Sequence, residues 1–160
     1  IKTNVKDWSS DIEVSEYLGK ILRKEAYDRT GLIYGIGHAV YTKSDPRCVI
    51  LKNQADKLAK VTGKEAEFEL YKAVERLSPI VFKKIKRNAK DLCANVDFYS
   101  GFVYEMLGIP KDLFTPLFAT SRIAGWCAHV AEEVLNGGRI IRPAYKNVIK
   151  AIDFKPLAER

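Results

Sequence analysis

The residues able to do chemistry fall in a few short clusters. In Gly35-Ile36-Gly37-His38 an imidazole ends a glycine-spaced loop, and Arg47 follows nine residues later within Lys43-Ser44-Asp45-Pro46-Arg47. An imidazole beside a guanidinium can grip an oxygen-rich anion. The other reading is a flexible turn into the next helix, because the third glycine of a dinucleotide fingerprint is missing and no βαβ unit surrounds the loop. Asp97 falls in the first turn of a helix that Asn95 can cap. Acids favour that position through the helix dipole, worth about 0.3–1 kcal/mol. The alternative is a carboxylate base, with Phe98 and Tyr99 expected to desolvate it partly and raise its pKa. Arg122 stands in an apolar and small-residue run, 118–126, and must either reach outward or meet a carboxylate. Arg142-Pro143 poses the same choice with less constraint.

Other polar residues read more plainly. His129 is an ordinary helix histidine, and no cluster of His, Cys and carboxylates has the spacing of a metal site. Cys48, Cys93 and Cys127 include no C-x-x-C pair and have apolar neighbours, which points to reduced core thiols in a cytoplasmic protein. Five basic residues crowd 83–90, but no nucleic-acid motif accompanies them and the aromatics lie on apolar stripes. That run reads as a solvated helix end with its cations at the C-terminal pole, not as a nucleic-acid surface.

The elements that must position these groups are helical. Ile12, Tyr17, Leu18, Ile21 and Leu22 form a stripe after the caps of 7–11, predicting a helix that ends near Ala26. Cys48, Leu51, Ala55 and Leu58 predict a second from 46 to 61. A third starts near Lys64 along Phe68, Tyr71, Val74 and Leu77, and Ser78-Pro79 is expected to interrupt it before a fresh start through Ile85. The fourth spans 96–107, stopped by Gly108-Ile109-Pro110. The fifth spans 116–135, with Ile123, Cys127, Val130 and Val134 facing inward and Gly137-Gly138 closing it. Strand-like alternation is confined to 31–41, so the fold class is all-α. Residues 1–112 are expected to form a small helical domain, and 113–160 a long helix with an extended tail.

With 160 residues and 47% hydrophobic content the chain can bury a core. The excess of 27 Lys and Arg over 20 Asp and Glu, a formal +7, suits an anionic partner: nucleic acid, a phosphorylated cofactor or a dicarboxylate. No apolar run approaches the roughly 20 residues that cross a bilayer, and no secretory signal opens the chain. Its first residue is Ile1, which reads as a processed product or a piece of something longer.

At these same residues the sequence resembles the citrate synthase family. Gly35-Ile36-Gly37-His38-Ala39-Val40-Tyr41, Asp45-Pro46-Arg47, Asn95-Val96-Asp97-Phe98-Tyr99-Ser100-Gly101, Ser121-Arg122 and Arg142-Pro143 match its motifs in order. The spacings match as well, nine residues from His38 to Arg47 and twenty from Arg122 to Arg142. The shorter-tailed bacterial branch is the most similar. The resemblance implies a Claisen-type condensation of acetyl-CoA with oxaloacetate in the tricarboxylic acid cycle, then hydrolysis of citryl-CoA. Asp97 would be the base, His38 would polarise the ketone, and Arg47 and Arg122 would hold carboxylates. Arg142 would reach into a partner subunit's site, so a homodimer is implied. Leu32, Ile33, Tyr34, Gly35, Ile36 and Gly37 would lie near the CoA adenine, with Lys43 a phosphate contact; Thr42 is uncharged where some relatives carry a basic residue. CoA would be a co-substrate, with no tightly bound cofactor, no nucleic acid and no membrane.

The family's large helical domain, with a histidine for the enolate, has no counterpart here, so the chain alone is expected to be inactive. 2-Methylcitrate synthase, and a non-catalytic helical ligand-binding module, are the alternatives.

Overall fold

The computed structural model describes residues 1–86, 90–138 and Pro156, in two units, Ile1–Leu117 and Phe118–Arg160. In the first unit, helix α1 (Asp11–Leu22) begins where Ser10 accepts the Glu13 amide and Glu13 reaches back to the amides of Lys6 and Asp7. The first contact satisfies a donor that the helix start leaves unpaired, and the second ties the preceding turn to the first turn of the helix. Its inward stripe is Val14, Leu18, Ile21 and Leu22, while Ile12, expected inward, is 73% exposed. The helix also stops short of Ala26. Lys24 turns left-handed (φ 67°), its amide donates to Ile21 O, and Glu25 donates to Lys20 O. That pair of bonds satisfies the terminal carbonyls and ends the helix there.

Helix α2 (Pro46–Thr62) starts from the Asp45 cap with Pro46 in its first turn, and ends at Gly63 with Lys64 N–H on Ala59 O. Helix α3 (Glu65–Ile85) runs unbroken through Pro79, contrary to the expected interruption. A proline inside a helix costs about 3 kcal/mol. Val74 and Leu77 are buried before it and Val81 after it, and each large apolar side chain removed from water returns about 1.5–3 kcal/mol. Ser78, also buried, donates its hydroxyl to Val74 O at 2.6 Å. Packing on both sides therefore outweighs the local preference. Helix α4 (Val96–Met106) follows the Asn95 cap, and a 3₁₀ turn (Lys111–Leu113) leads into α5 (Phe114–Leu135).

Helix α1 packs on α3, and α2 packs on both α3 and α4. Arg76 grips both oxygens of Asp11 at 2.7 Å, pinning α3 to the start of α1. The core holds Phe68, Tyr71, Phe98, Tyr99 and Phe102 in mutual ring contact, the Tyr71 and Phe102 centroids 4.5 Å apart. Glu75 ties three helices together. Its Oε2 accepts from Tyr99 Oη of α4 at 2.7 Å and Lys52 Nζ of α2 at 2.5 Å. Burial first, then Glu75, push the Tyr99 phenol far above its ordinary range, so it stays a donor.

The segment expected to alternate like a strand makes an isolated antiparallel bridge, Ile36 with Ala94, and no strand occurs among the described residues. Gly35 (φ 82°) and Gly37 (φ 104°) bend it out of extended geometry on either side of that bridge. Helix α5 has no buried residue: Ile123, Val130 and Val134, expected inward, are exposed, and so is Cys127. The described part of its unit comprises the helix, the turn after it and Pro156, so nothing described there faces its apolar stripe. Cys48 and Cys93 are buried as expected. Lys83 and Lys84 do end α3 in solvent; 87–89 lie outside the described residues.

Candidate active site

Two segments far apart in sequence meet at the bridge. Gly37 N–H donates to Cys93 O and Asn95 N–H to Gly35 O, each at 2.8 Å. Loop 32–38 is thereby fastened to the residues that start α4. Gly35 is required at this seam. A Cβ there would sit 2.8 Å from Phe98 Cδ2 and 2.9 Å from Phe98 Cα, and the positive φ strains any other residue.

The loop delivers His38 with a defined ring orientation. Its Nδ1 lies 2.9 Å from the Val40 amide and 3.0 Å from that of Tyr41, accepting from both. A neutral imidazole that accepts at Nδ1 carries its proton on Nε2. Nε2 stands 3.2 Å from Arg47 Nη2. Two donors side by side make a place for an acceptor oxygen, the geometry that polarises a carbonyl. The Tyr41 ring tilts against the imidazole at 4.8 Å, and the Arg47 guanidinium lies 5.9 Å from the same ring.

Arg47 is aimed by Asp45. The Asp45 carboxylate is 1% exposed. Its Oδ1 accepts Arg47 N–H and Nε–H, both at 3.0 Å, and Oδ2 accepts from Nη2 at 2.8 Å. One side chain thus caps α2 and clamps the first arginine of that helix in a two-point grip. The Arg47 side chain beside it holds the Asp45 carboxyl below the usual carboxylate range. Asp45 in turn keeps Arg47 charged, with Tyr41 and Asp97 adding to the pull.

Asp97 sits in the first turn of α4, its amide donating to Asn95 Oδ1 at 3.0 Å. It is exposed, whereas Phe98 and Tyr99 turn into the core. The partial burial expected of Asp97 from those two rings is not found: successive helix residues point about 100° apart, so the rings are buried while the carboxylate stays exposed. Asp97 lines a cavity of about 550 Å³ together with Leu32, Ile33, Tyr34, Gly35 and Phe98. Tyr34 is steadied at the rim by its hydroxyl, which donates to Asp28 at 2.7 Å. Lys43 is elsewhere, beside Asp45, Cys48 and Cys93 on a second cavity of about 240 Å³.

The structure thus brings His38, Arg47 and loop 32–37 into the same unit as Asp97. Arg122 belongs to the other unit, where its guanidinium lies over the Phe118 ring at 4.7 Å, the outward alternative of the two expected. Arg142 lies outside the described residues. Two contributors escaped the sequence reading: the Asp45 clamp and the Asn95 side-chain amide. Asp45-Pro46-Arg47 carries the signal for the first, an N-cap acid followed by Pro and a basic residue within reach. Nothing local signals the second, because its partner is 58 residues away.

The family model for "Citrate synthase, C-terminal domain" matches residues 2–144. The helical fold and the domain match agree on one family. The chain belongs to the citrate synthase family. A citrate synthase of Haloferax volcanii is 38% identical over 152 residues, 94% of this chain and 36% of that protein. A 2-methylcitrate synthase of Shewanella oneidensis is 38% identical over 141 residues, 88% of this chain and 34% of that protein. The solved citrate synthase of Thermoplasma acidophilum, a ternary complex with carboxymethyl coenzyme A and oxaloacetate, aligns with a TM-score of 0.65 and 30% identity. That alignment covers 98% of this chain and 39% of the other. The chain spans about a third of the length of the curated relatives it matches.

Proposed function

We propose that this chain serves as the C-terminal part of a citrate synthase, condensing acetyl-CoA with oxaloacetate to give citrate and CoA. The carrying observation is that His38 Nε2 lies 3.2 Å from Arg47 Nη2, with His38 on a loop bonded to the residues that start the helix bearing Asp97. Asp97 takes a proton from the thioester methyl group, and the resulting enolate carbon attacks the ketone carbon of oxaloacetate. His38, neutral and protonated on Nε2, donates to the ketone oxygen as charge gathers there. Arg47 and Arg122, with Arg142 entering from a second subunit, hold the carboxylates. Water then cleaves the citryl thioester and releases CoA.

The cavity beside Asp97 supports placing the acyl-CoA against Leu32, Ile33, Tyr34, Gly35, Ile36 and Gly37, with Lys43 as an outlying phosphate contact. CoA is a co-substrate here, and no tightly bound cofactor enters. Enolate stabilisation falls to the remaining two-thirds that the relatives carry, so the chain alone forms no citrate. The whole enzyme is a cytoplasmic homodimer in this reading, without nucleic-acid or membrane partners; no described helix is long and apolar enough to cross a membrane. Propionyl-CoA as the acyl donor is the second reading, supported by the 2-methylcitrate synthase relative.

The decisive variant is Asp97→Asn in the whole enzyme, which keeps the shape and the helix start but removes the base. Loss of kcat by roughly 10²–10⁴, with oxaloacetate affinity retained, is the expected outcome in a thiol-release assay. Unchanged kcat would return Asp97 to a mere helix-terminus acid. Running the assay with acetyl-CoA and propionyl-CoA in parallel assigns the acyl donor.

A further inference from the structure

We propose that Asn95 is a positioning residue that sets the direction in which His38 leaves its loop, beyond its service as the cap of α4. This inference rests on the proposed roles of His38 and Asp97. The Asn95 side chain uses both ends of its amide. Oδ1 accepts the Asp97 amide at 3.0 Å, and Nδ2 donates to Gly37 O at 2.9 Å. The cap alone does not call for asparagine, since Ser or Asp does it equally well. The bond to Gly37 does call for it, because the amide carries its donor and its acceptor on separate atoms one bond beyond the reach of a serine hydroxyl, and so meets Gly37 O and the Asp97 amide together.

Gly37 O belongs to the peptide group that joins Gly37 to His38. Holding that carbonyl fixes the peptide plane from which the imidazole departs. Gly37 needs such an anchor. It has no side chain, its φ is 104°, and a Cβ there would meet just one atom, Leu92 Cδ2 at 3.7 Å. The Cys93 carbonyl holds the Gly37 amide on one side, and the Asn95 amide group holds its carbonyl on the other. With both ends of Gly37 fixed, Val40 and Tyr41 can meet Nδ1 together and keep the proton on Nε2. The residue that starts the helix of the base thereby also aims the group that polarises the ketone.

Asn95→Ser separates the two roles, since serine caps but cannot span to Gly37, and Asn95→Ala removes both. Hydrogen exchange on this chain reads the difference residue by residue. For Asn95→Ser we expect the Val40 and Tyr41 amides to exchange at least about tenfold faster while Phe102 and Val103 in α4 stay within about twofold. The His38 ring nitrogens should also shift towards a mixture of tautomers in ¹⁵N spectra. Unchanged exchange at Val40 and Tyr41, or acceleration shared equally by α4, would overturn the proposal. In the whole enzyme the same variant should lose roughly 10- to 100-fold in kcat with little change in the KM for CoA, the scale of a small misalignment. Full turnover in Asn95→Ser beside an inactive Asp97→Asn overturns the positioning role alone. Full turnover in both overturns the condensation reading and this inference with it.

Discussion

At the residue scale, Asp45 and Arg47 show how a substrate contact can also be part of the fold. Arg47 offers its charge to solvent while its Nε and Nη2 satisfy a carboxylate that is almost wholly buried. Arg47→Leu in the whole enzyme should weaken oxaloacetate binding roughly 10- to 100-fold, the scale of one charge-assisted hydrogen bond. It should also lower the urea midpoint of this chain, because Asp45 loses its partner and stays buried. The pH dependence of that second loss has a definite sign. Arg47 holds the folded Asp45 carboxyl below its ordinary value. The stabilisation is therefore complete above the unfolded value, near 3.9, and disappears as pH falls through the folded one. Parent and variant midpoints should differ at pH 7 and converge towards pH 3; an equal gap at both would break the link to Asp45. The Asp-Pro-Arg spacing made the arginine legible in the sequence, and a cap was legible too, but not that one carboxylate does both jobs.

At the element scale, the seam between loop 32–38 and α4 depends on the absence of a side chain. Gly35→Ala would drive a Cβ into the Phe98 backbone at a left-handed φ, and we expect a loss of about 1–3 kcal/mol in denaturant unfolding. Gly37→Ala meets a single contact at 3.7 Å and should cost less; the reverse order would mean that the seam does not set the stability of the loop. Helices were legible where apolar spacing and caps agreed, as in α2 and α4, whose starts at Asp45 and Asn95 each supply a side-chain cap. The misses share a cause. Pro79 lies inside α3 because buried neighbours on both sides outweigh its local cost, and α1 stops early because Lys24 takes a left-handed turn that glycine or asparagine usually marks. The alternation of 31–41 served a pair of turns and one bridge, since two glycines with positive φ interrupt any ladder. Long-range packing and backbone conformation decided each case, and neither is written in a local pattern.

At the scale of the whole molecule, the apolar stripe of α5 is the largest departure from what periodicity implied. Ile123, Trp126, Val130 and Val134 are all exposed, although their spacing of three, four and seven is that of a helix with something to pack against. Periodicity reveals that a face is meant for burial, but not which surface covers it. Apolar faces of this kind tend to associate, and a symmetric pair is the simplest closed arrangement. Light scattering across a dilution series should give a mass above that of one chain at high concentration, falling on dilution; one chain's mass throughout would mean the stripe is covered from within. Cys127 lies on that stripe beside Trp126 and is exposed. Cys48 is buried, its thiol pushed up to about 11 by desolvation, and Cys93 is raised by burial as well. Dissolved oxygen can therefore take the hydrogens of two Cys127 thiols, leaving a pair of chains joined by a covalent bond that no dilution undoes. Reversible mass action and irreversible oxidation would then yield particles of equal size, and a reducing agent in the buffer is what tells the two apart.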